Sequence, residues 1–221
     1  MEGDFGFLKT VSDTFDVKRI TASNEQRCEI LNTGIKPYAC WRQHHTAIDA
    51  VIDLKEKYDL KPEDVEHISH RSFVVGSRES YKEPTTVPGA KYSAPYNIAV
   101  ALTYGEAWRK HYTSELIKDT DLLKLASKVD VSPNEELEKL YDGKWASIVE
   151  ITTKAGEIYT AQRDLPFGEP EHPISGEILK RKFMSLSTES VSVEKEEKMW
   201  ENIFQIDEIV DLAEFTALLK M

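Results

Sequence analysis

The stretch 144–164, KWASIVEITTKAGEIYTAQRD, carries two alternating, β-branched runs on either side of Lys154-Ala155-Gly156. Period-two alternation puts every second side chain on one face, and a short glycine-containing break between two such runs is the pattern of a β-hairpin. Upstream, EDVEHISHRSFVVG alternates through Val65, Ile68, Phe73 and Val75, which predicts a further strand over about 65–75. The sheet implied is small and at least partly antiparallel.

Helical spacing surrounds it. Ile48, Val51, Ile52, Leu54 and Tyr58 mark an amphipathic helix over about 44–58, ended by Leu60-Lys61-Pro62. Residues 77–95 have prolines, a glycine and no period, and read as a loop. Residues 96–110 read as a buried helix of small side chains. Residues 114–129 read as an amphipathic one through Leu116, Ile117, Leu122, Leu123 and Leu125. Ser132-Pro133-Asn134-Glu135 has the form of a helix start capped by Ser132. LPFGEPEHPIS at 165–175 is a rigid linker, a positioning device more than a reactive site, after which Ser175 caps a helix through Phe183. Residues 193–219 read as two helices, and 5–15 as one more. Strands and helices do not alternate as strict βαβ units, so the expected class is α+β, a small, mostly antiparallel sheet packed with helices. The expected division is an α+β body over 1–170 and a C-terminal helical segment over 171–221.

Composition narrows the partners. A net charge of −11 over 221 residues leaves no basic stripe for a phosphate backbone, which argues against nucleic acid. No stretch reaches about 18 apolar residues, which excludes a membrane span, and the N-terminus lacks a signal pattern. Cys28 and Cys40 sit in no CxxC, so neither a disulfide framework nor a zinc knuckle is expected, and a reduced cytoplasmic setting is the default. GxGxxG, GxxxxGK[ST], GxSxG and HExxH are all absent, which removes support for dinucleotide, P-loop, hydrolase and zincin readings.

The stretch GIKPYACWRQHHTAIDAVIDL, 34–54, runs a Lys-Pro-Tyr segment into the first strong helix. Free N–H groups and the dipole at a helix start favour an anion. Lys36 and Arg42 would add positive charge, and Arg42 can grip a carboxylate with two parallel bonds. His44 or His45 is a candidate acid or base, since histidine titrates near neutrality. Adjacent histidines point to different faces, so one can face a site while its neighbour is packed or exposed. The plainer reading makes both surface residues of a first turn. An i,i+1 pair is a poor metal site, and His67 and His70, three apart on a strand, face opposite ways. No metal or other cofactor is expected. In GAKYSAPYNIAVAL, Ser93 and Tyr96 offer hydroxyls at another helix start, against the plain alternative of a cap and a packed ring.

Three stretches, in order, resemble the MmgE/PrpD family. KPYACWRQHHTAIDAVIDL (36–54) is similar to its Lys-Pro-Tyr…His…Ala-Ile-Asp-Ala segment. AKYSAPYNIAVALTYGE (90–106) is similar to its Ser-x-Pro-Tyr-x-x-Ala-x-Ala-Leu segment. GEIYTAQRDLPFGEPEHPISGEILKRKF (156–183) is similar to its Gly-x-Pro-x-x-Pro-Leu-Ser-x-x-x-Leu-x-x-Lys-Phe segment. The family includes 2-methylcitrate dehydratase, cis-aconitate decarboxylase and iminodisuccinate epimerase, which act on small di- or tricarboxylates without an organic cofactor. The resemblance implies a chorismate-mutase-like lid followed by helices that return to a large helical domain, with the site between the two. It implies a lyase or isomerase that moves a proton beside a carboxylate, with Lys36 on substrate carboxylate, His45 as the motif histidine, and Ser93 and Tyr96 at the pocket. Two positions depart from the pattern: Trp41 stands where a small residue or Cys is common, and His44 where a small polar residue is usual.

The expected site therefore has His45 and Tyr96 as catalytic residues, with Lys36, Arg42, Ser93 and His44 binding substrate. The resemblance covers only the family's C-terminal part, beginning near Met1. The expectation is a lid that needs a separately encoded helical subunit for full activity, a stand-alone lid-type product, or a non-catalytic module or remnant. Apolar positions of the terminal helices, Ile203, Ile206, Ile209, Val210 and Leu212, would then lead to a homo-oligomer or a heteromer.

Overall fold

The computed structural model describes residues 3, 5–18, 29–187 and 191–219, in two compact units, 1–33 and 34–221. Cys28 lies outside the described residues. In the first unit, the helix expected over 5–15 is a single short one, α1 (Phe7–Val11), and a 3-10 turn follows at Glu29–Asn32.

The second unit is α+β. Its first long helix, α2 (His45–Tyr58), follows a 3-10 turn at Arg42–His44 and ends where Asp59 turns left-handed at φ 50°. Next comes β1 (Val65–Ser72). Within the segment expected to be a loop lies α3 (Val87–Tyr92), whose start is capped by the Thr86 hydroxyl accepting from Gly89 N–H. The adjoining α4 (Ala94–Tyr104) stops at Gly105, which takes φ 69° as its C-cap, so the helix expected to reach 110 is shorter.

The expected helix at 114–129 is divided. A 3-10 turn at Leu116–Lys118 gives way to α5 (Thr120–Ser127), because the Asp119 carboxylate accepts from the Asp121 and Leu122 N–H groups and starts a new helix. Ser132 is not a helix cap. It lies in β2 (Val129–Pro133), and Asn134 caps the short α6 (Glu135–Glu138), its side chain accepting from Glu136 and Leu137 N–H. The hairpin forms as expected, with β3 (Ser147–Thr153) and β4 (Ile158–Arg163), Ser147 opposite Arg163 and Thr152 opposite Ile158. Then come α7 (Gly176–Ser187), α8 (Val193–Phe204) and α9 (Leu212–Leu218).

The sheet order is β2-β1-β3-β4, antiparallel except for the β1–β2 pair. Ile68 is central, opposite Val129 on one side and Ile151 on the other, and all three are fully buried. Along β3 burial alternates strictly, with Val149 and Ile151 inward. Residues of α2, α4 and α5 share one continuous core with this inward face: Ile48, Val51, Ile98, Leu102 and Leu122 join Ile68 and Ile151. Burying each such side chain contributes roughly 1.5–3 kcal/mol. The other face is polar, with Arg71 beside Glu150 and His67 bonded to Asp130. His67 and His70 do face opposite ways: His67 is half-exposed, while His70 is fully buried and bonds the Ser147 hydroxyl. No helix among the described residues is long and apolar enough to cross a membrane.

Candidate functional site

Residues 34–41, the lead-in to α2, have no regular secondary structure of their own. Their backbone groups must therefore bond elsewhere. Ile35 N–H donates to Gly168 O at 2.7 Å, Ala39 N–H to Ala107 O at 2.9 Å, and Trp41 N–H to Lys91 O at 2.9 Å. From α7, Lys182 Nζ donates to Lys36 O at 2.7 Å. The Asp49 carboxylate on α2 accepts from the Tyr38 hydroxyl and from Phe167 N–H. Two loops, through Ala107 and Gly168, and three helices, α2, α3 and α7, thus fix the segment. Gly168 has φ +93°, and a side chain there would overlap the Ile35 carbonyl, so glycine is required for the linker to lie this close.

Beside this segment is a cavity of about 320 Å³, with Lys36, Lys91, Arg109 and Lys182 in its walls alongside Tyr38 and Trp108. No acidic residue among the described ones lines it. In a chain of net charge −11 this is a local inversion of sign, which raises the local concentration of anions. Burial, reinforced by the charges of Lys36 and Arg42, holds the Lys182 amine below the usual lysine range. A bound carboxylate would offset that crowding of like charge.

His45 opens α2 and is fully buried. Burial, then the charges of Arg42 and Lys36, depress its basicity well below the ordinary value. Its Nδ1 lies 3.4 Å from Arg42 Nη1, and its Nε2 lies 3.4 Å from the Cys40 carbonyl oxygen. The Tyr38 ring meets it edge-on, with centroids 5.0 Å apart. Arg42 is also ion-paired through Nη2 with Glu169 of the linker. The Arg42 guanidinium, expected on sequence grounds to grip a ligand carboxylate, thus already holds one from its own chain.

His44 points elsewhere. Its Nδ1 meets Asn97 Nδ2 at 3.0 Å, and the Asn97 carbonyl accepts from the Tyr112 hydroxyl at 2.8 Å. Burial and the neighbouring His70 push its pKa down to about 3. Trp41 packs edge-on against His44 at 5.1 Å, and its ring lies tilted against Tyr92 at 5.6 Å. Trp41 and His44, the two positions expected to depart from the resembled pattern, are therefore in contact with each other. The reading of His44 and His45 as surface residues is overturned: neither side chain has any solvent exposure, because the 3-10 turn and α2 set both into the core.

Ser93 caps α4. Its hydroxyl accepts from Tyr96 N–H at 3.1 Å and donates to Tyr81 O at 2.6 Å. Tyr96 is fully buried, its hydroxyl 3.4 Å from His111 O, and burial raises its pKa. Neither residue lines the cavity. Of the expected residues, Lys36 alone is in the cavity wall; Arg42 and His45 lie together within reach of its charge, and His44, His45, Ser93 and Tyr96 are all fully buried. Sequence reading missed Lys91, Arg109, Lys182 and Glu169. Lys91 and Lys182 lie within the second and third family-like stretches, which was the available signal. What joins them to Lys36 is tertiary, as the 146-residue separation of Lys36 and Lys182 makes plain.

Among the described residues no three His, Cys, Asp or Glu side chains are grouped so as to hold a metal ion. Residues 38–207 match the family model described as the MmgE/PrpD C-terminal domain, a span that begins just after Lys36 and takes in His45, Tyr96, Glu169 and Lys182. No curated protein matches the chain.

Proposed function

The chain belongs to the MmgE/PrpD family through its C-terminal domain, and from that premise we propose that it carries the carboxylate-gripping half of a cofactor-independent lyase or isomerase for small di- or tricarboxylates. The observation that carries this reading is the cavity bounded by Lys36, Lys91, Arg109 and Lys182, with no acid among the described residues of its walls. Charge-assisted bonds from two or more ammonium groups suit a ligand with several carboxylates far better than one with a single carboxylate. His45, within reach of the Lys36 charge, is the residue proposed to give or steer a proton beside the bound carboxylate. A helical domain of the family type supplies the remaining groups and closes the cavity, and a cytoplasmic setting suits such a substrate.

A second reading, a module that binds a polycarboxylate without turning it over, draws on the internal engagement of His45 and on the fact that neither His45 nor Tyr96 lines the cavity. Calorimetric titration with citrate, succinate and acetate tests both. Binding in the order citrate, succinate, acetate, lost in Lys36→Ala, supports a polycarboxylate site. Equal or absent binding of all three removes it. Deuterium wash-in at the carbon beside a bound carboxylate, followed by NMR with and without a helical family partner domain, separates turnover from binding alone.

A further inference from the structure

We infer that Glu169, acting through Arg42, fixes His45 as the tautomer with its proton on Nε2, so that this histidine meets a ligand as a hydrogen-bond donor or acid and not as a base. The inference deepens the reading above and rests on it for the role of His45, but its geometry stands alone. A guanidinium has only N–H donors. Arg42 Nη1 lies 3.4 Å from His45 Nδ1, so Nδ1 must be the acceptor and carry no proton. The neutral ring then bears its proton on Nε2, which faces the Cys40 carbonyl at 3.4 Å, an oxygen that can only accept. The two contacts agree on one tautomer.

Glu169 enters because it sets where the guanidinium points. Its carboxylate pairs with Nη2, leaving Nη1 to reach the ring. Glu169 is itself held: His172 N–H donates to Glu169 O at 2.9 Å, Gly168 N–H donates to His172 O at 2.8 Å, and Phe167 N–H is tied to Asp49. The rigid linker read from the sequence is thus the far end of a three-residue relay, Glu169 to Arg42 to His45. Arg42 and Glu169 are positioning residues here. Both contacts to the ring are long, 3.4 Å each, so neither binds the ring strongly, and it is their agreement on one tautomer that carries the assignment.

Long-range nitrogen–proton NMR of the imidazoles, with His45 assigned by the loss of its signals in His45→Asn, tests this on the full chain. The expected wild-type spectrum shows His45 Nδ1 as the unprotonated, pyridine-like nitrogen and Nε2 as the protonated one. Arg42→Met, which removes the donor, shifts the two signals toward each other as the tautomers mix. Arg42→Lys, which keeps a donor, restores the wild-type pattern in part. Glu169→Gln, nearly isosteric and partly exposed, gives an intermediate mixture even if Arg42→Met fails to fold. A wild-type His45 protonated on Nδ1, or a pattern unmoved by Glu169→Gln, overturns the relay. The expected spectrum in a chain that binds no polycarboxylate would leave the relay standing and remove only the proposed function.

Discussion

Lys182 reaches across 146 residues of sequence to donate its ammonium to the carbonyl oxygen of Lys36 at 2.7 Å. One side chain thereby pins the backbone that carries Lys36 and adds its own charge to the same cavity. Charge-assisted bonds are worth roughly 1.5–3 kcal/mol. Lys182→Met, which keeps the stem and drops the charge, is expected to weaken citrate binding by about tenfold or more. The loss is expected to shrink as salt is raised, because the wild-type contribution is itself screened. Titration of both proteins at low and high salt reads this directly, and equal affinities would remove Lys182 from the site.

Gly168 tests the clamp from the other side. Its φ of +93° and the close Ile35 carbonyl leave no room for a methyl group. Gly168→Ala is expected to cost about 1–3 kcal/mol from backbone strain alone, with more from displacement of residues 34–37. Because those residues carry Lys36, ligand affinity should fall together with Tm. Gly156 also has a positive φ, of +86°, but a side chain there meets open space, so Gly156→Ala should lower Tm while leaving affinity unchanged.

These two positions show what a sequence can and cannot say about this fold. The hairpin was legible because β3 and β4 alternate over six or seven residues beside a tight turn, and α2 because Ile48, Val51 and their neighbours repeat at helical spacing. β2 was not. It is five residues long, lies at the sheet edge, ends in proline, and buries only Val129 fully, so its strand character comes from pairing with β1 far upstream. In the site, Lys36, Arg42 and His45 stood out as a local cluster. Glu169 and Lys182 join them only through long-range contacts that no local period encodes. The family-like stretches marked His44, Ser93 and Tyr96 as a group with the others, but a motif does not say which way a side chain turns.

The terminal helices lead to a further expectation. Phe204, Ile206, Val210 and Leu212 are all at least half-exposed, and Ile203 is exposed by more than a third, which is costly for large apolar side chains in water. Self-association or capture by a helical family domain would cover them. In light scattering across a dilution series, the chain is expected to run as a concentration-dependent oligomer. Phe204→Lys with Val210→Lys should shift it toward monomer with unchanged circular dichroism. A wild-type chain that stays monomeric at every concentration contradicts the expectation.

Buried neutral histidines make stability depend on pH with a definite sign. Burial pushes His70 down to about 4, and burial with the His70 neighbour pushes His44 down to about 3. In the unfolded chain both titrate near 6.5. Between these values the unfolded chain binds protons that the folded chain refuses, so acid favours unfolding. The stability is fully present above about pH 7 and declines as pH falls from 6.5 toward 4, by about 1.4 kcal/mol per pH unit for each histidine. Asp130 and Asp164 have carboxyls held below their usual range, so they add their loss only at still lower pH. Urea unfolding at steps from pH 7.5 to 4.5 measures the slope. His70→Gln, which keeps a hydrogen-bonding group for the Ser147 hydroxyl but cannot titrate, should flatten that slope by one histidine's share even if it lowers stability at pH 7.5. A slope equal to wild type would mean that His70 takes up its proton in the folded state as readily as in the unfolded one.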